Sequence, residues 1–351
     1  MKNVRHYIGL DAHSRNCFFV VMTPTGKVKK KLKVQTSEAN ILEVVRGLRG
    51  GKALATEEST LAHWLFLLLK NEVDELVICD AAYNVKKGAA KTDFRDATEL
   101  ADLLRVGRLN AVYHEKSWRM ELRTLVSGYV DVRDDLVRMK NRYKALYRQA
   151  AIPTNKSDFY RKAEYTELLP TKALRFVAEP LQKEIEILEK IKGSYEKEFA
   201  KNRRDHKEIA LLASIPGIGT KWANQLVGIV INPNRFADKY RFFSYAMLTK
   251  HRQQSDGRCY GRKSSYGKSE LKAIFYGAAL SAIRSENAFR RKHEQMLLNG
   301  SKETAARGAV ARAIAATMLG VWKSGKRYDD SHREKQQKKI ARRNQIKKQT
   351  L

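Results

Sequence analysis

Cysteine is scarce, with three in 351 residues, and Cys17, Cys79 and Cys259 lie far apart with no CxxC or HxxxH pair near them. That excludes a disulfide framework and a structural zinc site, and fits reduced thiols in a cytoplasm. Proline occupies only 6 positions, while apolar residues make up 43% of the chain and aromatics 9%. General disorder is excluded and a sizeable core is expected. No apolar run reaches the roughly 18 residues a membrane span needs, and Met1 to His6 lead into a strand-like segment without a signal-peptide core. We therefore expect a soluble protein of the cytoplasm, in a bacterial or archaeal cell, with no membrane partner.

Acidic charge is short as well: 38 Asp and Glu stand against 69 Lys and Arg, for a net charge of +31. A surplus of this size attracts polyanions, because each neutralised phosphate releases counterions, so nucleic acid is the expected partner and nucleoid association the expected location. The surplus is uneven. Residues 1–110 carry 18 basic and 13 acidic residues, whereas 111–351 carry 51 and 25. The acids of the near-neutral first part are therefore the ones to inspect for chemistry.

Residues 4–10, 17–22 and 27–34 are short and rich in β-branched or aromatic side chains, and Thr23-Pro24-Thr25-Gly26 divides the last two as a tight turn would. Ser37 caps a helical pattern with Ile41, Leu42, Val45 and Leu48 on one face, ended by Gly50-Gly51. Strand-like 53–57 and 75–79 then alternate with helix-like 60–70 and 93–105. Three hairpin strands followed by this alternation predict a mixed five-stranded sheet with helices.

From about residue 115 the strand signals stop. Leu122, Leu125, Tyr129, Val132, Leu136, Met139, Tyr143 and Leu146 keep a period of about 3.5 residues, that of a coiled-coil seam. A second helix carries Leu181, Ile185, Leu188, Ile191, Tyr195 and Phe199, so the pair is read either as an intramolecular hairpin or as a dimer seam. Helices are expected near 207–214, 220–230, 269–285 and 303–323. Residues 331–351 hold eight basic residues and one acid, the composition of a disordered phosphate-contacting tail. The expected divisions are 1–110, 111–205, 206–330 and 331–351.

Asp11 follows the apolar run Tyr7-Ile8-Gly9-Leu10, and a carboxylate at the end of a central strand needs a cation or a donor to offset its burial. Glu57 and Glu58 end the next core strand. Asp93 and Asp96, spaced i, i+3, share one face of a helix start. Two strand ends and a helix can bring these carboxylates to one point, and hard oxygen ligands of this kind suit Mg2+ or Mn2+ in phosphodiester chemistry. Taken singly, Asp93 also suits a first helical turn, and either Glu a cap or a surface.

In the last third, Ser214-Ile215-Pro216-Gly217-Ile218-Gly219-Thr220 fits either a phosphate-binding turn or a plain αα turn. Residues 250–268 mix Lys, Arg and Gly with Ser255, Ser264 and Ser265. By itself this reads as a phosphate-binding loop, and a serine so placed can also attack a phosphodiester.

Gly9-Leu10-Asp11-Ala12-His13, Glu58-Ser59-Thr60 with Trp64 beyond, and Lys91-Thr92-Asp93-Phe94-Arg95-Asp96-Ala97 together resemble the DEDD transposases of insertion sequences, the IS one-ten family. That family includes pilin-gene-inverting and RNA-guided recombinases. The likeness spans nearly the whole chain. It implies an RNase H/RuvC-like domain, a helical connection and a mainly helical C-terminal transposase domain. It further implies a metal site of Asp11, Glu58, Asp93 and Asp96, with Glu57 as the alternative from the doubled glutamate, and Ser255 as nucleophile. Asp256 separates Ser255 from Gly257, a departure from the family motif that keeps Ser264 and Ser265 open. DNA, a structured noncoding guide RNA and further copies of the chain, as a dimer or tetramer, are the implied partners. A RuvC-like endonuclease using water on the same carboxylates is the competing enzyme class. A binding protein without catalysis is the third reading, and the intact acidic quartet opposes it.

Overall fold

The computed structural model describes residues 4–80, 92–154, 159–160, 164–264 and 266–331. Lys91 of the helix-start motif, Ser265 and residues 332–351 of the basic tail lie outside the described residues. Two compact units are present, Met1–Ser117 and Trp118–Leu351.

The first unit begins with three antiparallel strands, β1 (Val4–Ala12), β2 (Asn16–Met22) and β3 (Val28–Gln35). The turn between β2 and β3 is closed by Gly26, whose φ of 88° suits glycine. Next come α1 (Glu38–Arg46), β4 (Gly51–Glu57), α2 (Ala62–Leu69), β5 (Glu75–Cys79) and α3 (Asp93–Arg105). β4 runs parallel to β1, and β5 parallel to β4, giving the sheet order β3-β2-β1-β4-β5. This is the expected mixed five-stranded sheet of an RNase H/RuvC-like domain.

One sheet face buries Ile8, Leu10, Phe19 and Leu54 against Ile41 and Val45 of α1 and Leu65 and Leu69 of α2. The other face carries α3, and the approach there is very close. A Cβ on Gly9 would lie 1.8 Å from the Ala97 carbonyl oxygen and 2.8 Å from the Ala101 nitrogen. Three small residues thus let helix and strand backbones touch, which fixes the start of α3 beside the end of β1.

The second unit opens with α4 (Trp118–Gln149), followed by α5 (Glu164–Glu167) and α6 (Lys172–Asp205). α4 and α6 run antiparallel: Tyr129 packs edge-on against Tyr195 and Phe199, and Lys140 meets Glu189 at 2.6 Å. Of the seam residues, Leu122, Tyr129, Leu136 and Tyr143 are buried and Leu125, Val132, Met139 and Leu146 half-buried. The 3.5-residue pattern is therefore used within the chain. At the far end, the hydroxyls of Tyr147, Tyr143 and Thr166 and the Gln182 side-chain oxygen link in a buried chain of hydrogen bonds.

The rest is a helical core of α7 (Lys207–Leu212), α8 (Thr220–Val230), α9 (Lys239–Tyr245), α10 (Ser269–Ala282), α11 (Ala288–Leu298) and α12 (Glu303–Ser324). Gly217 turns the chain with φ 87°, and a Cβ there would sit 2.2 Å from the Ala278 carbonyl oxygen of α10. That glycine is required by packing. One expectation fails: strands do return after residue 115, as the hairpin β6 (Lys250–Ser255) and β7 (Arg258–Ser264). Its alternating positions are polar on both faces, so hydrophobic periodicity carries no trace of it.

Candidate functional site

Asp11 ends the buried part of β1, opposite Phe18 of β2, with its side chain 18% exposed. Two residues on, His13 Nε2 lies 3.2 Å from Asp11 Oδ2 and 3.5 Å from Asp93 Oδ1. One ligand atom from each of Asp11, His13 and Asp93 lies within 4.8 Å of the others. Edge-on contacts of Phe18 with His13 and with Phe94 wall the site. Burial pushes the Asp11 carboxyl above its ordinary value; His13 works against this, and the like charges of Asp93 and Asp96 add to it. Carboxylates that repel one another at this range fit a hard divalent cation, which offsets their charge through oxygen ligands.

Asp96 is thus near enough to act on Asp11 electrostatically but stands outside the three-residue group. The glutamates part company. Strand alternation puts Glu57 with Ala55 on the face of Gly9 and Asp11, the face that α3 covers. Glu58, one residue later, donates its N–H to the Cys79 carbonyl, and its carboxylate accepts a 2.7 Å hydrogen bond from His114 Nε2. The His114 ring, 2% exposed, packs against both His63 and Phe66.

Neither His13 nor His114 was singled out from the sequence. For His13 the only signal was its nearness to Asp11 in the chain, since it lies one residue past the end of β1, in the turn to β2. For His114 there was none; it is 56 residues from Glu58.

In the second unit, Ser255 closes β6 and pairs with Arg258 across a two-residue turn. Asp256 (φ 48°) and Gly257 (φ 71°) are the turn residues, both left-handed, as a type I′ hairpin demands. The residue that interrupts the expected motif is therefore a turn residue, and Ser255 stands exposed at the hairpin tip. Ser264, half-buried, lies at the other end of the ribbon opposite Lys250.

The sheet order is that of an RNase H/RuvC-like domain, with carboxylates at the end of β1 and the start of α3. Residues 8–152 match the IS110-type DEDD transposase family, described as "Transposase", and residues 209–294 match the "Transposase IS116/IS110/IS902 family". The chain belongs to this insertion-sequence transposase family and is an enzyme acting on DNA, for which the family implies a divalent metal. No curated protein matches the chain in sequence. Among the described residues no helix is long and apolar enough to cross a membrane.

Proposed function

We propose that the chain mobilises an insertion sequence by cutting and rejoining DNA strands, with Asp11, Asp93, Asp96 and either Glu58 or its neighbour Glu57 holding Mg2+ or Mn2+ and Ser255 as the nucleophile. The convergence of Asp11, His13 and Asp93 carries this reading. A divalent cation bound there would polarise the reacting phosphate and stabilise charge on its oxygens. His13 orients the Asp11 carboxylate by donating its Nε2–H to Oδ2. Ser255 forms an Oγ–phosphorus bond as a sugar-oxygen–phosphorus bond breaks, and the hydroxyl proton passes to the leaving sugar oxygen. The reverse exchange onto another strand restores the serine, so no net hydrolysis occurs.

Two further parts of the reading rest on the surface. The surplus of basic residues over 111–351 supports binding of a structured noncoding RNA that chooses the DNA by base pairing. Exposed Phe176, Val177 and Ile187 on α6 support assembly with further copies of the chain.

The test is covalent trapping on a DNA substrate whose rejoining is blocked. A protein–DNA ester that disappears in Ser255→Ala, together with strand exchange, is the expected outcome. Full cleavage without an adduct in Ser255→Ala, Ser264→Ala and Ser265→Ala alike would replace the serine with water and make the protein a RuvC-like endonuclease. Recombination that survives ribonuclease treatment would remove the guide.

A further inference from the structure

The β6–β7 ribbon has three properties that its role as a carrier of Ser255 does not require. First, its register slips once: Gln253 pairs with Gly261 and Gln254 with Cys259, so Tyr260 has no partner and forms a β-bulge. A bulge re-aims the side chain of the extra residue, and the Tyr260 ring is 68% exposed. Second, Arg252 lies directly opposite Arg262, a cross-strand pair of like charges that disfavours the hairpin unless an anion lies over it. Lys250, Arg258 and Lys263 join them, and among the described residues none of these five cations has a carboxylate within ion-pair distance. Third, the surface beside the tyrosine is bare: a Cβ on Gly261 or Gly257 would meet nothing within 4 Å.

We propose that this ribbon is a binding surface for unpaired nucleotides, with Tyr260 stacking on a base while the arginines and lysines hold the flanking phosphates. The inference deepens the transposase reading by naming the state of the nucleic acid at the serine hairpin. Charge alone would suit any polyanion, duplex included. The aromatic ring decides between them, because base faces are hidden inside a duplex and offered only by unpaired or flipped-out nucleotides. A strand opened next to Ser255 would be held open by Tyr260, five residues along the same hairpin.

The experiment measures binding of the full chain to a fluorescein-labelled mixed-sequence single strand, as DNA and as RNA, and to the corresponding DNA duplex, over a range of salt. Tyr260→Ala should weaken single-strand binding roughly 5- to 100-fold while leaving duplex affinity and the salt slope unchanged. Tyr260→Trp should restore it. Arg252→Gln with Arg262→Gln should instead make the salt slope shallower for every probe, by about 1.8 for the duplex and about 1.4 for the single strands. A preference for the DNA or the RNA single strand identifies which polymer the ribbon serves. Equal losses on duplex and single strand, or no loss in Tyr260→Ala, would overturn the inference, provided the thermal melt matches wild type. Because Tyr260 is exposed, its substitution leaves the fold unchanged. The covalent-adduct assay is scored separately: an adduct with unaltered Tyr260→Ala binding rejects the stacking surface alone, and absence of the adduct in wild type rejects the serine mechanism.

Discussion

His114 Nε2 donates a 2.7 Å hydrogen bond to Glu58 Oε2 from a ring that is almost fully buried. The contact fixes one of two adjacent glutamates while leaving its neighbour Glu57 on the strand face of Asp11. Outer contacts of this kind hold metal-ligating carboxylates in place, and their loss costs roughly 10- to 100-fold in metal affinity. With Glu58 as ligand, Glu58→Gln should abolish DNA cleavage, Glu57→Gln should leave it near wild type, and His114→Asn should raise the Mg2+ concentration needed for half-maximal cleavage roughly 10-fold or more. The opposite result for the two glutamates would move the ligand to Glu57 and leave His114 with a structural role.

Asp11 supplies a second prediction, on stability. Its folded-state carboxyl titrates above the unfolded value, mainly through burial, so the folded chain holds the proton more tightly. The ionised form therefore weakens the fold, and this cost appears as pH rises from the ordinary value through the raised one. At neutral pH and without metal, Asp11→Asn should melt higher than wild type, by a few degrees at most. Adding Mg2+ should raise the wild-type melting temperature and leave the variant where it was. A lower melting temperature for metal-free Asp11→Asn would contradict the assigned electrostatics.

Gly9 tests how the site is held. A methyl group there would run into the Ala97 carbonyl, so Gly9→Ala should push α3 from the sheet, carry Asp93 and Asp96 away from Asp11, and cost about 3 kcal/mol or more. Urea denaturation read by circular dichroism measures this. A near-wild-type midpoint would mean that helix and strand are less tightly apposed than described.

The C-terminal unit has its own pH signature. Burial alone would raise the Asp330 carboxyl, but hydrogen bonds from the Tyr328 hydroxyl, the Ala288 N–H and Arg291 outweigh it and hold the group below its ordinary value of 3.8. A lowered folded-state value means stability that is present above pH 3.8 and lost as pH falls through the folded value. Asp330→Asn should therefore cost on the order of 1 kcal/mol at neutral pH. The gap from wild type should close below the unfolded value. Equilibrium denaturation at a series of pH values checks both the size and the direction.

Much of this molecule follows from local pattern. Thr23 to Gly26 contain the turn residues a hairpin needs, Ser37 the oxygen a helix start needs, and Leu122 to Leu146 a spacing that only a helix packed along one side satisfies. Asp11, Asp93 and Asp96 were legible because a carboxylate at a buried strand end is expensive, and because i, i+3 spacing shares a helix face. The β6–β7 ribbon was not legible, since it forms without an apolar face and is specified by one Asp-Gly turn and its own ladder of hydrogen bonds. Nor was the partition of the glutamates. Glu57 and Glu58 are equivalent as letters, and only the alternation of β4 and the arrival of His114 from 56 residues away send them to different neighbours. Residue type and spacing determine which groups are able to do chemistry, because these act within a few residues; which of them meet was decided by the sheet register and the close seating of α3 on Gly9, contacts between segments far apart in the chain.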